Sequence, residues 1–169
     1  SPKFISNMEV KDMFLNKYPF GVLDFETSFN EQSNATIITG EVHKDSTSVI
    51  EVSGVYFPDI DTNNFNLSFD INQFDVRYLE SYLSTIFDEF TGAGKGRFDF
   101  FGNIDNPNFD GALWVDDLFM SIPYLGVDLK SNSKSRLEFT DKDISFIDLD
   151  FVGLEDGSSI GYGDLKGSL

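Results

Sequence analysis

Residues 91–124 read TGAGKGRFDFFGNIDNPNFDGALWVDDLFMSIPY, and this stretch decides the fold class. Phe98, Phe100, Gly102 and Ile104 fall on one side of an extended chain, and Asn106-Pro107 marks a turn. Leu113 and Val115 resume the alternation, a second turn follows, and Leu118, Met120 and Ile122 carry a third run as far as Pro123. A period of two puts successive side chains on opposite faces of a strand. Proline ends such a run because it has no N–H to give to a ladder. The stretch therefore reads as strand, Asn-Pro turn, strand, turn, strand.

The same period extends outward in both directions. Leu23, Phe25, Thr27 and Phe29 alternate with Asp24, Glu26 and Ser28, as in a strand with one dry and one wet face. Ile38-Gly40-Val42 and Ile50-Val52-Gly54-Tyr56 flank a polar turn at Lys44-Asp45-Ser46, and Phe65, Leu67, Phe69 and Ile71 alternate with Asn66, Ser68 and Asp70. Downstream, strands are expected at Leu137–Phe139, Ile144–Phe151 and Ile160–Leu165; a phase slip between Phe146 and Ile147 marks a β-bulge or a strand end. Only between Phe74 and Phe90 does the spacing change to threes and fours, through Val76, Leu79, Leu83, Ile86, Phe87 and Phe90, with Asp75 placed to cap the start. This predicts one amphipathic helix near residues 75–90, ended by Gly92 and Gly94.

Composition agrees with an all-β class. The apolar content rests on 19 Phe, which suits pleated, half-buried strands better than helices. A length of 169 residues favours a single β-rich domain spanning the chain. The first residue is not Met and the last strand-like run continues to Gly167-Ser168-Leu169, so the chain reads as a fragment of a larger protein, with any leader or anchor outside it. A net charge of −17, with few and scattered Lys and Arg, argues against a nucleic-acid surface and against adsorption to an anionic membrane face. Absence of Cys excludes disulfides and thiolate sites. No apolar run approaches the roughly 20 residues a spanning helix needs.

Candidate chemical constellations are weak. Asp59, Asp61 and Asn63 open like a calcium loop, but Asn64 stands where the loop needs Gly, so a polar hairpin turn is the better reading. His43 has no thiol or triad partner nearby in sequence. Asp116-Asp117 and Glu155-Asp156 are adjacent acids, which on a strand point to opposite faces and do not make a glycosidase pair. Gly94-Lys95-Gly96 lacks the hydroxyl residue and helix of a phosphate loop. No catalytic residue, metal site or cofactor is predicted, and the chain is read as non-enzymatic.

The order of several short motifs resembles the C-terminal domain of TamB-type proteins, in the AsmA-like, bridge-like lipid transfer group, as found in Bacteroides-like bacteria. The matching pieces are Asn66-Leu67-Ser68-Phe69, Leu79-Glu80-Ser81-Tyr82-Leu83, Gly94-Lys95-Gly96, Gly102-Asn103-Ile104-Asp105-Asn106-Pro107, Gly111-Ala112-Leu113, Ile122-Pro123-Tyr124-Leu125-Gly126-Val127 and the closing Gly161-Tyr162-Gly163-Asp164-Leu165-Lys166-Gly167. The resemblance covers residues 63–167.

It implies an elongated, curved β-sheet folded lengthwise into a groove (taco-like) that carries phospholipid or other acyl chains in outer-membrane biogenesis and protein assembly. Candidate groove residues are Leu67, Phe69, Phe98, Phe100, Leu113, Val115, Leu118, Met120, Leu137 and Phe139. The implied partner is an outer-membrane barrel of the BamA superfamily, reached through the rest of the protein. The implied location is the periplasm, with an inner-membrane anchor outside this chain. The alternative from the residues alone is an acidic extracellular β-sandwich binding carbohydrate or protein, with Trp114, Tyr124 or Tyr162 as its platform.

Overall fold

The computed structural model describes residues 4–15, 17–44, 47–131, 133–141, 143–155 and 158–168. The expected all-β class is observed. The strands are β1 (Ile5–Leu15), β2 (Tyr18–Asn30), β3 (Ala35–Lys44), β4 (Thr47–Tyr56), β5 (Phe65–Asp75), β6 (Glu89–Asn103), β7 (Asn106–Ile122), β8 (Val127–Ser131), β9 (Ser135–Thr140), β10 (Ile144–Glu155) and β11 (Ser158–Ser168). Among the described residues they form one open sheet in the order β1-β2-β3-β4-β5-β6-β7-β8-β10-β11, with β9 pairing β10 and β7. Most neighbours are consecutive in the chain, so short hairpins build nearly all of the sheet. The chain divides into two compact units, residues 1–72 with 97–111 and residues 73–96 with 112–169.

In the first unit the register is continuous across five strands. Met8 lies opposite Phe25, Phe25 opposite Gly40, Gly40 opposite Val52 and Val52 opposite Phe69. The row beside it, on the same face, is Val10, Leu23, Val42, Ile50 and Ile71. One register step away, on the other face, Glu9, Asp24, Glu41, Glu51 and Asp70 align. The alternation visible in the sequence thus becomes an apolar face and an acidic face. Val42, Ile50, Val52 and Ile71 are buried, whereas Asp24, Glu26, Glu41 and Glu51 are exposed.

The second unit closes around Val76, Leu83, Phe87, Phe90, Leu113, Val115, Leu118, Met120, Leu137 and Leu149, all buried. The helical segment lies where the spacing places it but is shorter. Val76–Leu79 form a 3-10 turn that runs into α1 (Glu80–Leu83). Asp75 caps it as expected, its carboxylate accepting the Arg77 backbone N–H at 3.0 Å. The Ile86 and Phe87 N–H groups both donate to the Leu83 carbonyl, at 2.9 and 3.0 Å, and Glu89 already belongs to β6. Ser84 and Thr85 are weak helix formers and break the run. Ile86 consequently faces solvent, and Gly92 and Gly94 lie inside β6 instead of ending a helix.

Other local expectations are revised too. The turn after β6 is Ile104-Asp105, where the Asn103 carboxamide oxygen accepts the Asp105 N–H at 2.9 Å; Asn106-Pro107 begins β7. The turn expected between Val115 and Leu118 is a bulge within β7. Val115 and Leu118 are both buried although three apart, and Asp117 between them has φ of 53°. A residue in the left-handed region lets the strand skip one position and keep its apolar side inward. β10 carries the slip expected near Phe146, with its register against β11 shifting between Phe146 and Leu149. β1 and β8 were not expected from the pattern. Asp45 and Ser46, in the expected polar turn, lie outside the described residues.

The bulge gives a first prediction. Asp117→Gly is expected to melt at or above the parent temperature, because glycine enters the left-handed region without strain. Asp117→Val should be less stable than Asp117→Gly by about 1–2 kcal/mol in urea denaturation, because a β-branched side chain is strained in the left-handed region that glycine enters freely and aspartate tolerates. Equal stability of the two variants would contradict this account of the bulge.

Candidate functional site

The ten residues singled out by sequence fall into two groups. Leu67, Phe69, Phe98 and Phe100 are half-buried in the first unit. Leu113, Val115, Leu118, Met120, Leu137 and Phe139 are buried in the second unit, among the residues of its closed interior. The structure does bring the first four together on one face. The Phe69 and Phe100 ring centroids are 5.4 Å apart, edge to face at 72°, and Phe100 stacks on Phe109 at 5.8 Å and 25°. Both geometries suit the ring quadrupole. Phe109 was not singled out from the sequence, yet it has the parity of Gly111 and Leu113 on β7, which is the signal that places it beside Phe100.

This aromatic row continues the apolar face of the unit. Leu67 lies opposite Gly54, and Phe69 opposite Val52. None of these side chains except backbone groups carries a directional polar atom, so the surface distinguishes ligands by hydrophobicity and shape alone.

The opposite face of the same strands is acidic. Directly opposed like charges in a sheet repel, and the row from Glu9 to Asp70 is relieved at intervals by polar neighbours. Lys11 Nζ is 3.2 Å from Glu9 Oε2, and His43 Nε2 is 3.2 Å from Glu41 Oε2 and 3.6 Å from Asp24 Oδ2. Asn72 Nδ2 donates to Glu51 Oε1 at 3.3 Å. Arg97 reaches Asp70 at 3.5 Å and Asp99 at 3.2 Å, and donates to Ser68 Oγ at 2.7 Å. These pairs are exposed and individually weak. An open basin of about 750 Å³ lies on this face, with Asn7, Asp24, Glu26, Glu41, His43 and Glu51 on its walls.

The remaining motifs have structural partners. The Asn34 carboxamide donates to Asp59, Asn103 Nδ2 donates to the Asp61 carbonyl at 2.8 Å, and Asn64 Oδ1 accepts the Ile104 N–H at 3.0 Å. The loop 58–64 therefore joins neighbouring turns within the first unit. Asp116 faces Lys134 at 3.5 Å, Asp117 forms the bulge, and Asp156 lies outside the described residues. Among the described residues no group of three or more His, Asp or Glu is placed to hold a metal ion, and no helix is long and apolar enough to cross a membrane.

Comparison with known proteins returned no match: no family model, curated protein or solved structure is similar to this chain.

Proposed function

We propose that this chain is a non-catalytic module of the bacterial cell envelope, in which the apolar face of the first unit contacts the acyl chains of phospholipid. One observation carries the reading: Leu67, Phe69, Phe98, Phe100 and Phe109 form an aromatic-rich surface that is only half-buried, on strands whose opposite face carries the partly exposed Asp70 and Asp99 and the exposed Asp110. Acyl chains need continuous apolar surface without directional partners, whereas an anionic headgroup is repelled by the carboxylates behind that surface. The motif order resembling TamB-type domains supports the same role, with transport toward the outer membrane and a BamA-superfamily barrel as the partner of the longer protein. On this reading the module works in the periplasm.

The test is Phe100→Asp. A carboxylate on a partly open wall keeps access to water, so the variant should stay folded, with a melting temperature a few degrees below the parent. It should lose uptake of a fluorescent fatty acid in vitro and photo-crosslinking to lipid in cells, while Phe100→Leu retains both. Retained uptake in a folded Phe100→Asp protein would end the acyl-chain reading.

A second reading, an acidic module that binds carbohydrate or protein, is favoured by exposed aromatics in the second unit. Trp114 is 41% exposed with the Arg136 guanidinium 5.3 Å from its ring, and Tyr124 is 95% exposed. Under that reading Trp114→Ala removes binding and Phe100→Asp does not, so the two variants separate the alternatives.

A further inference from the structure

In the second unit β7 changes partner at its bulge. Phe119–Ile122, beyond Asp117, pair with β8, whereas Trp114, before it, has the Arg136 guanidinium of β9 at 5.3 Å from its ring. A notch of about 380 Å³ opens where the partner changes, lined by Asp116, Asp117, Ser131, Ser133 and Lys134. Bulges re-aim side chains and recur beside functional sites. The wall of this notch is held by its own hydrogen bonds: the buried Ser135 hydroxyl donates to Ser131 Oγ at 2.8 Å, and Ser131 Oγ accepts the Ser133 N–H at 3.3 Å. Trp114 stands two residues along β7 from Asp116, so both project from the same face, and both are exposed.

We infer that Trp114 and the notch beside it form a binding site for a neutral oligosaccharide, with one sugar ring against the indole and hydroxyls of its neighbour in the notch. The inference gives a ligand class to the second reading above and rests on that reading; it does not depend on acyl-chain binding in the first unit. The indole offers a flat apolar surface to the C–H face of a pyranose, and the guanidinium on the ring fixes its orientation before a ligand arrives. Arg136 is itself paired with Glu138, and Lys134 Nζ lies 3.5 Å from Asp116 Oδ2. Each ion pair sets an acceptor beside a donor, which suits a hydroxyl, a group that both donates and accepts. The pairs are exposed, so opening one to admit a hydroxyl costs little. Because their charges cancel, no excess cation draws an anionic sugar toward a chain of net charge −17, and a cationic sugar finds both carboxylates engaged. A wholly apolar ligand would strip water from the polar groups of the notch and return no hydrogen bond. A neutral polyhydroxylated ring is the class that fits.

Trp114 is the only tryptophan of the 169-residue chain, so its fluorescence reports this site alone. Titration with cellohexaose, maltoheptaose or xylohexaose should shift the emission and shield the indole from acrylamide with at least one of them, at low and high salt alike. Hexagalacturonate and the chitosan hexamer should do neither. Calorimetry on variants then separates the parts of the site. Trp114→Ala should abolish binding of the neutral sugar, Trp114→Phe should keep part of it, and Phe100→Asp should leave it unchanged. Asp116→Ala and Lys134→Ala should each weaken it about tenfold, the worth of one hydrogen bond to a charged group. Sugar binding that is lost in Trp114→Ala yet unchanged in both Asp116→Ala and Lys134→Ala is stacking alone, which overturns the site proposed and leaves the second reading standing. Binding of a charged oligosaccharide only, or of none, also overturns the proposal and leaves that reading with protein as its neutral-surface ligand. Sugar binding that survives Trp114→Ala overturns both.

Discussion

Leu113→Asp is expected to unfold the second unit, whereas Phe100→Asp in the first is tolerated. The Leu113 side chain is 0% exposed, in a unit whose Val115, Leu118, Met120, Leu137 and Leu149 are buried as well. Truncating such a leucine to alanine costs about 2–5 kcal/mol from lost transfer energy and the cavity left behind. A carboxylate adds the cost of placing a charge, or a protonated acid without a partner, in an apolar interior. The sum reaches or exceeds the roughly 5–15 kcal/mol that holds a typical domain together. Amide spectra of Leu113→Asp should lose dispersion for residues 73–96 and 112–155, and Leu113→Ala should fold with a lowered urea midpoint. A well-dispersed Leu113→Asp spectrum would mean that this interior admits water, and the distinction drawn between the two units would fall.

The different settings of Leu113 and Phe100 were not legible in the sequence, because period-two alternation reports only that one face of a strand is apolar. Leu67, Phe69, Phe98 and Phe100 recur at every second residue just as Leu118, Met120 and Ile122 do, although Phe119 as well as Ser121 stands between the latter. What packs over each face depends on non-local pairing, which no local period encodes. The strands themselves were legible where both faces are well differentiated. β1 was missed because an edge strand buries little, and six of its residues from Ile5 to Val10 include Ser6, Asn7 and Glu9 with exposed Ile5 and Met8 between them.

The acidic row shows the same limit in another form. Asp24, Glu41, Glu51 and Asp70 were each visible as polar members of an alternation, but their alignment is a product of register across three hairpins. The helix was over-read for a local reason. Val76, Leu83, Phe87 and Phe90 are all buried, as their spacing demands, yet the last two reach the interior from a turn and from the start of β6. Spacing of three and four marked a buried cluster correctly and the backbone that carries it incorrectly.

Gly94 and Gly96 stand two residues apart in β6, and their substitutions should differ sharply. A Cβ at Gly96 would lie 1.9 Å from the Ala112 carbonyl oxygen and 3.0 Å from the Leu113 Cα, both parts of the backbone of β7. Rotating a side chain cannot relieve that clash, so the paired strands must separate locally. Gly96→Ala should therefore cost about 3 kcal/mol, the upper end of the range for overpacking, with a matching fall in the urea midpoint. At Gly94 the nearest atoms to an added Cβ are the Phe74 carbonyl oxygen at 3.4 Å and the Phe74 Cβ at 3.7 Å, ordinary van der Waals separations. Gly94→Ala removes freedom from the unfolded chain at little cost to the folded one, so it should change stability by less than about 1 kcal/mol in either direction. Denaturation of the two single variants in parallel provides the check, and a Gly96→Ala protein as stable as Gly94→Ala would refute the close approach of β6 to β7 at Ala112.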